Sequence, residues 1–241
     1  MSQSIDEAEH SAEMQLPYLH RLLQKLYPGR PESEYPLLVP IMVGSTNAAT
    51  ESAFGKLLAP YIAEEENAFV ISSDFCHWGS RFGYTYYLPN ASSPALSPLS
   101  LPNGATPSAG EVAATDIHTD PSLAQGRDLG SREKPGRNEA PIHESIAYAD
   151  RACMCAITTG QQTTFLKALR DTGNTICGRH PIGVFMAGCE EAGRMKKGSG
   201  EAEQGDEIEK GRFRFVRYER SSDVLSAKDS SVSYVSAFAV L

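Results

Sequence analysis

Residues 68–79 read AFVISSDFCHWG, and the apolar first half of this stretch indicates the fold class. Ala68–Ser72 is a short apolar run, as expected for a strand that is buried on both faces. Leu37–Val43 (LLVPIMV) is a second such run, in which Pro40 indicates an edge or a bulge. Between the two runs, Ala48–Ile62 carries apolar residues at helical spacing. The order strand, helix, strand is typical of an α/β unit.

The same alternation continues along the rest of the chain. Hydrophobic periodicity predicts further helices over Glu13–Tyr27, Ile142–Thr158, Gln161–Arg170 and Ile182–Glu191, and strands over Phe213–Tyr218 and Val232–Leu241. We therefore expect an α/β domain with a mostly parallel sheet flanked by helices.

Charge and composition exclude several classes of protein. The 241 residues include 22 basic and 30 acidic side chains, and the net charge of −8 has the wrong sign for a protein that neutralises phosphates, so no nucleic-acid partner is expected. No run of 18 apolar residues is present, so no membrane span is expected. The five cysteines are odd in number and sit in apolar segments, which indicates a reducing compartment. We expect a cytoplasmic location, which can extend to the nucleus.

Two polar stretches interrupt the periodic segments. Residues 89–140 contain seven of the 15 prolines and no aromatic residue. Such a composition buries too little apolar surface to offset the entropy of ordering, so a disordered insertion is predicted there. Residues 193–210 are predicted to form a shorter insertion. The chain is otherwise expected to be a single domain over 1–241.

The first group of candidate functional residues follows Ala68–Ser72. Sites in open α/β sheets gather at the carboxyl ends of strands, and Asp74 and His77 lie three residues apart at that position. A carboxylate and an imidazole at this spacing suit an acid–base pair or a metal site. The structural alternative is that Asp74 caps the next turn while His77 packs against Trp78.

The second group is centred on Cys177. Gly178, Arg179 and His180 follow it, and a helix is predicted to begin after Pro181. Positive charge and a helix N-terminus both favour a thiolate, which could bind a metal or attack an electrophile. The structural alternative is a buried, inert cysteine with Arg179 paired to a carboxylate elsewhere.

Four blocks of sequence carry a resemblance to a known family. The blocks are His10–Tyr18 (HSAEMQLPY), Ser72–Gly79 (SSDFCHWG), Asn174–Gly183 (NTICGRHPIG) and Asp229–Tyr234 (DSSVSY). In this order they resemble the Memo family, the mediators of ErbB2-driven cell motility. The resemblance extends over nearly the whole chain outside the two predicted insertions.

The resemblance implies a fold similar to that of the class III extradiol dioxygenases and a pocket for iron or copper. By motif, Cys177 matches the family's cysteine ligand of the metal, and Asp74 and His77 match residues that line the same pocket, with His77 at the acid–base position. The family's two histidine ligands belong to N-terminal motifs similar to APHAGY and GPSHH, which this sequence lacks. We therefore expect a domain that lacks the N-terminal part of the usual fold and binds metal poorly.

The sequence supports three hypotheses for the function of this chain. The first is a Memo-like intracellular protein with a signalling, interaction or metal-handling role and with signalling or cytoskeletal protein partners. The second is a metal-dependent oxidoreductase related to the non-haem iron dioxygenases. The third is a thiol enzyme in which His77 or His180 serves as the base for Cys177.

Overall fold

The computed structural model of the chain describes residues 3–91, 117–198 and 213–240. Its helices are α1 (Gln3–Ala8), α2 (Leu16–Leu26), α3 (Ala48–Ala63), α4 (Ile142–Thr158), α5 (Gln162–Thr172) and α6 (Arg179–Gly198). Its strands are β1 (His77–Trp78), β2 (Tyr86–Tyr87), β3 (Arg127–Asp128), β4 (Phe213–Arg220) and β5 (Ser231–Ala239). None of these helices is both long and apolar enough to cross a membrane. The predicted helices over 142–158 and 161–170 and the two C-terminal strands are confirmed, whereas the predicted helix over 182–191 is the middle of the longer α6.

The expected parallel sheet is wrong for the described part of the chain, although the α/β class holds. One sheet has the order β1-β5-β4 and the other pairs β2 with β3, and every pair is antiparallel. The loop of residues 221–230 joins β4 directly to β5 without a crossover helix, and such a short connection favours antiparallel pairing. A register shift between Phe215 and Arg217 interrupts the β4–β5 ladder.

The two apolar runs that predict buried parallel strands form no strand in the described structure. Residues 37–43 and 68–72 have neither helical nor strand hydrogen bonding. Leu37 is 95% exposed and Val39 is 73% exposed, and Val70 is also exposed. A strand exists only by pairing with a neighbour, so an apolar sequence without a neighbouring strand does not form one.

The principal core lies between the sheet and the C-terminal helices. Phe75, Ile157 and Phe165 are fully or nearly fully buried, and they pack with Ile182 and Phe215 from α6 and β4. Burying each of these large apolar side chains contributes about 2–3 kcal/mol of transfer free energy. This core fixes the segment that contains Phe75 against the start of α6, which places the two groups of candidate residues side by side.

Helix α3 packs closely against α6 through glycine. A Cβ atom at Gly55 would lie 2.7 Å from both the Ala187 Cβ and the Gly188 backbone nitrogen. The absence of a side chain therefore lets the two helix backbones approach closely. On the other face of α3, Phe54, Leu57 and Tyr61 are exposed. The helical spacing of these apolar residues predicts that they are buried, and this prediction is wrong.

The prediction of a disordered insertion over residues 89–140 is wrong for residues 117–140. This part is ordered, with two short 3-10 turns and strand β3, and it buries Ile117, Leu123 and Leu129. Aliphatic residues supply the apolar surface that the missing aromatics would provide. Residues 92–116 lie outside the described residues. Of the second predicted insertion, residues 193–198 belong to α6 and residues 199–210 lie outside the description.

Candidate functional site

The structure brings the two groups of candidate residues into direct contact. The Asp74 backbone N–H donates a hydrogen bond to Cys177 Sγ at 3.2 Å. Beside it, the Gly178 N–H donates to Ser73 Oγ at 2.9 Å. A Cβ atom at Gly178 would lie 2.3 Å from the Ser73 Cβ, so only glycine allows this close approach. The loop of residues 73–77 and the loop of residues 174–178 thus form one site.

His77 faces Asp74 across this site. Its Nε2 lies 3.6 Å from Asp74 Oδ2. Its Nδ1 lies within hydrogen-bond distance of two carbonyl oxygens, those of Phe75 at 3.0 Å and Thr175 at 3.2 Å. Carbonyl oxygens only accept, so Nδ1 carries the proton in the neutral ring and Nε2 is the atom that faces the site.

The aromatic neighbour of His77 is Phe82 and not Trp78. The His77 and Phe82 rings meet edge to face, with centroids 5.2 Å apart. Trp78 is fully buried, and its Nε1 donates to the Tyr86 carbonyl oxygen at 2.9 Å. The structure therefore contradicts the alternative in which His77 packs against Trp78.

All four sequence blocks that carry the family resemblance meet at this site. Gln15 of the first block donates to Ser72 Oγ of the second at 3.2 Å. His77 of the second block pairs in register with Val232 of the fourth. The third block contributes Cys177. The four sequence blocks therefore lie next to one another in the folded chain.

Cys177 differs from the other cysteines in its exposure. It is exposed, whereas Cys76, Cys153 and Cys189 are buried. Burial raises the pKa of all three buried thiols, to about 12 in Cys189. Arg179 has no carboxylate within ion-pair distance in the described ranges. The structural alternative of a buried Cys177 with a paired Arg179 is therefore contradicted.

His180 pairs with a buried carboxylate. Its Nδ1 lies 2.8 Å from Glu51 Oε1. Glu51 is 1% exposed and also accepts a hydrogen bond from Gln162 Nε2 at 2.9 Å. The pairing with Glu51 holds the start of α6 against α3. The sequence gives little sign of Glu51, because a single acidic residue in a helix is usually solvated.

A second buried carboxylate, that of Asp150, lies beneath the site. Asp150 is fully buried on α4 and accepts hydrogen bonds from Asn174 Nδ2 and the Tyr218 hydroxyl, each at 2.8 Å. Burial raises the pKa of Asp150 above its ordinary value, and these hydrogen bonds oppose the shift. Burial also raises the pKa of Tyr218, and the neighbouring Asp150 adds to that effect.

The donors at the site do not by themselves fit an iron or copper ion. Cys177, Asp74 and His77 bring a thiol, a carboxylate and an imidazole to one place. Yet within residues 3–91, 117–198 and 213–240, no group of three or more histidine, cysteine, aspartate or glutamate side chains is arranged to hold a metal ion. A redox-active iron or copper centre normally has three or more protein ligands.

Comparison with known proteins identifies relatives across nearly the whole chain. A family profile described as Memo-like protein matches residues 1–238. A MEMO1 family protein of Schizosaccharomyces pombe is 35% identical over 240 residues, which are 99% of this chain and 62% of that protein. Protein MEMO1 of Rattus norvegicus is 32% identical over 234 residues, 97% of this chain and 57% of that protein. The chain thus spans about three fifths of the length of these relatives.

Proposed function

The chain belongs to the Memo-like protein family, and from this premise we propose that it acts as an interaction protein in signalling and not as an enzyme. The observation that carries the proposal is an open apolar groove next to the Asp74–Cys177 site. The groove has a volume of about 830 Å³.

The lining of this groove is mostly apolar. It includes Phe69, Val70 and Ile71, together with Phe213 and other residues of β4 and β5. Val70 is 52% exposed. Large exposed apolar concavities on soluble domains mark sites of interaction, because apolar surface gains free energy when a partner removes it from water.

The backbone next to the groove favours a polypeptide as the occupant. Residues 68–74 make no backbone–backbone hydrogen bond with the described part of the chain. The Asp74 N–H donates to Cys177 Sγ and the Asp74 carbonyl accepts from Ser73 Oγ, but the N–H and C=O groups of residues 68–73 are open to a partner strand. An extended apolar segment of a protein partner would satisfy these groups and fill the groove at the same time. A small apolar molecule would fill the groove but leave the backbone unpaired.

The oxidoreductase alternative rests on Cys177, Asp74 and His77. It requires metal ligands in addition to those that the described residues bring together. The metal-handling role rests on the same exposed cysteine. Neither alternative accounts for the exposed apolar groove, and the interaction role does.

A matched pair of substitutions tests the proposal. Val70→Asp places a charge in the groove, whereas Leu225→Asp places the same charge at a 75% exposed residue in the loop of residues 221–230. In gentle extracts of the source cells, we expect tagged wild type and Leu225→Asp to elute from size exclusion well above 26.1 kDa. Val70→Asp should elute near the mass of the free chain. Identical elution of all three proteins would contradict the interaction role.

A further inference from the structure

Strand β5 has an open backbone edge beside the apolar groove. At one end of this edge, the Ser233 N–H donates to the Cys76 carbonyl oxygen at 2.9 Å, and the Ser233 carbonyl oxygen accepts from the Phe75 N–H at 2.8 Å. Successive residues of a strand direct their backbone groups to opposite edges, so Val235 and Ala237 direct theirs to the same edge as Ser233. Both residues line the groove, and within the described residues neither has a backbone partner on this edge. The edge can therefore accept a further strand.

The same chain carries an apolar segment that its own fold leaves exposed. Residues 37–43 (LLVPIMV) form neither a helix nor a strand. The exposed fraction of the five large apolar side chains over 37–42 ranges from 50% at Met42 to 95% at Leu37. None of these residues lines the groove of its own chain. A partner that removes this segment from water would gain free energy.

Pro40 determines how this segment can pair. Proline has no N–H, and in sheets it occurs on a strand edge that faces away from a partner. In an extended segment, Val39 and Ile41 direct their backbone groups to the edge opposite that of Pro40, and this edge keeps all its donors. Apolar side chains on both faces are also typical of a strand that is covered on both faces. Residues 37–43 thus suit pairing along one edge while their side chains fill an apolar groove.

We propose that residues 37–43 of a second copy of this chain occupy the groove and extend the sheet at the open edge of β5. The proposal rests on the interaction role of the groove, and it names the partner. Each copy carries one such segment and one groove, so a two-fold symmetric dimer contains the contact twice. The second contact doubles the buried area, toward the roughly 1,200 Å² at which stable interfaces begin. A closed dimer also covers the open edges that would otherwise favour aggregation.

Analytical ultracentrifugation of the purified full chain tests the proposal. At concentrations up to about 100 μM, which detect dissociation constants in the micromolar range, we expect a species of twice 26.1 kDa. Ile41→Asp in the segment and Val70→Asp in the groove should each raise the dissociation constant about hundredfold or more, because each dimer would bury two carboxylates. Leu225→Asp, the same charge at an exposed loop residue, should dimerise like wild type. All three residues are at least half exposed, so the core of each variant is intact.

A mixture of the two groove-contact variants identifies which surfaces meet. The Ile41→Asp copy retains an intact groove and the Val70→Asp copy retains an intact segment, so one of the two contacts can still form between them. We therefore expect the mixture to associate more tightly than either variant alone. If it associates no more tightly, the segment of one copy does not bind the groove of the other, and the proposal is overturned.

Failure of this proposal is distinct from failure of the interaction role. A monomeric wild type, a dimer that either variant retains, or a series of larger oligomers would overturn the proposal. None of these results removes the interaction role if tagged wild type, unlike Val70→Asp, still elutes well above 26.1 kDa from cell extracts. The partner in the groove would then be a different protein.

Discussion

Thr175 and His77 form a reciprocal pair in which the threonine hydroxyl is 2.8 Å from the backbone nitrogen of His77 and 3.0 Å from its carbonyl oxygen. One short side chain therefore replaces a pair of strand hydrogen bonds between two loops. Through this pair, the loop that carries Asp74 and His77 stays beside the loop that carries Cys177.

Removing the Thr175 hydroxyl should destabilise the chain. Thr175→Val keeps the shape of the side chain but leaves the His77 N–H and C=O without their partner, so we expect the free energy of unfolding to fall by about 1–3 kcal/mol. Urea unfolding followed by circular dichroism measures the change. Thr175→Ser retains the hydroxyl and should recover most of the loss. Equal stability of the valine and serine variants would show that the hydroxyl contributes nothing.

The raised pKa of Asp150 predicts a specific dependence of stability on pH. Burial makes ionisation of this carboxyl less favourable in the folded chain than in the unfolded chain, where its pKa is near the ordinary value of 3.8. Its stabilising contribution is therefore complete below that value and is lost as the pH rises through the raised pKa.

The difference in unfolding free energy between wild type and Asp150→Asn isolates this contribution. We expect wild type to lose stability relative to the variant as the pH rises from about 4 through the raised pKa, by about 1.4 kcal/mol for each unit by which the pKa is raised. Urea unfolding at a series of pH values measures it. Parallel pH profiles for the two proteins would contradict the raised pKa.

Two glycine substitutions on the packed helices should change stability in opposite directions. A Cβ at Gly55 would lie 2.7 Å from Ala187 Cβ, so Gly55→Ala should cost about 1–3 kcal/mol by forcing α3 away from α6. Gly193 on α6 has no atom within 4 Å of the added Cβ, and Gly193→Ala should stabilise by about 0.5–1 kcal/mol through helix propensity. Thermal unfolding compares them, and a stabilising Gly55→Ala would show that α3 and α6 do not approach so closely.

The donor set at the site predicts weak metal binding by this chain. Calorimetric titration with iron(II) or copper(I) under anaerobic conditions should show an affinity for wild type no more than about tenfold above that of Cys177→Ser, because too few donors are preorganised. Retention of one equivalent of metal through gel filtration by wild type, and of none by Cys177→Ser, would contradict the prediction. It would show that the donors at the site are sufficient to bind a metal ion tightly.

The structure brings the candidate residues together but lacks the expected sheet, for a physical reason. The family resemblance implies that Asp74, His77 and Cys177 line one pocket, and their two loops are in contact. The runs at 37–43 and 68–72 predict strands only if other strands lie beside them, and pairing is a non-local property that apolar composition cannot reveal. This explains why the expected parallel sheet is wrong while the two loops meet as expected.

Glu51 and Asp150 could not be identified from the sequence for a related reason. Each is one acidic residue within a helix, where the ordinary expectation is a solvated side chain. Their burial depends on partners far along the chain, His180 and Gln162 for Glu51 and Asn174 and Tyr218 for Asp150. Only the folded arrangement brings these partners together.

Site-specific photo-cross-linking in living cells tests the interaction role most directly. A photoreactive phenylalanine analogue would replace Val70 in the groove and, as the control, Leu225 in the loop of residues 221–230. We predict that light produces discrete adducts with one protein partner from position 70 and none from position 225. Their formation should be suppressed by Phe69→Asp, a second charge in the groove wall. The absence of protein adducts at position 70, or the same adducts at both positions, would contradict the proposal that this groove binds a protein partner.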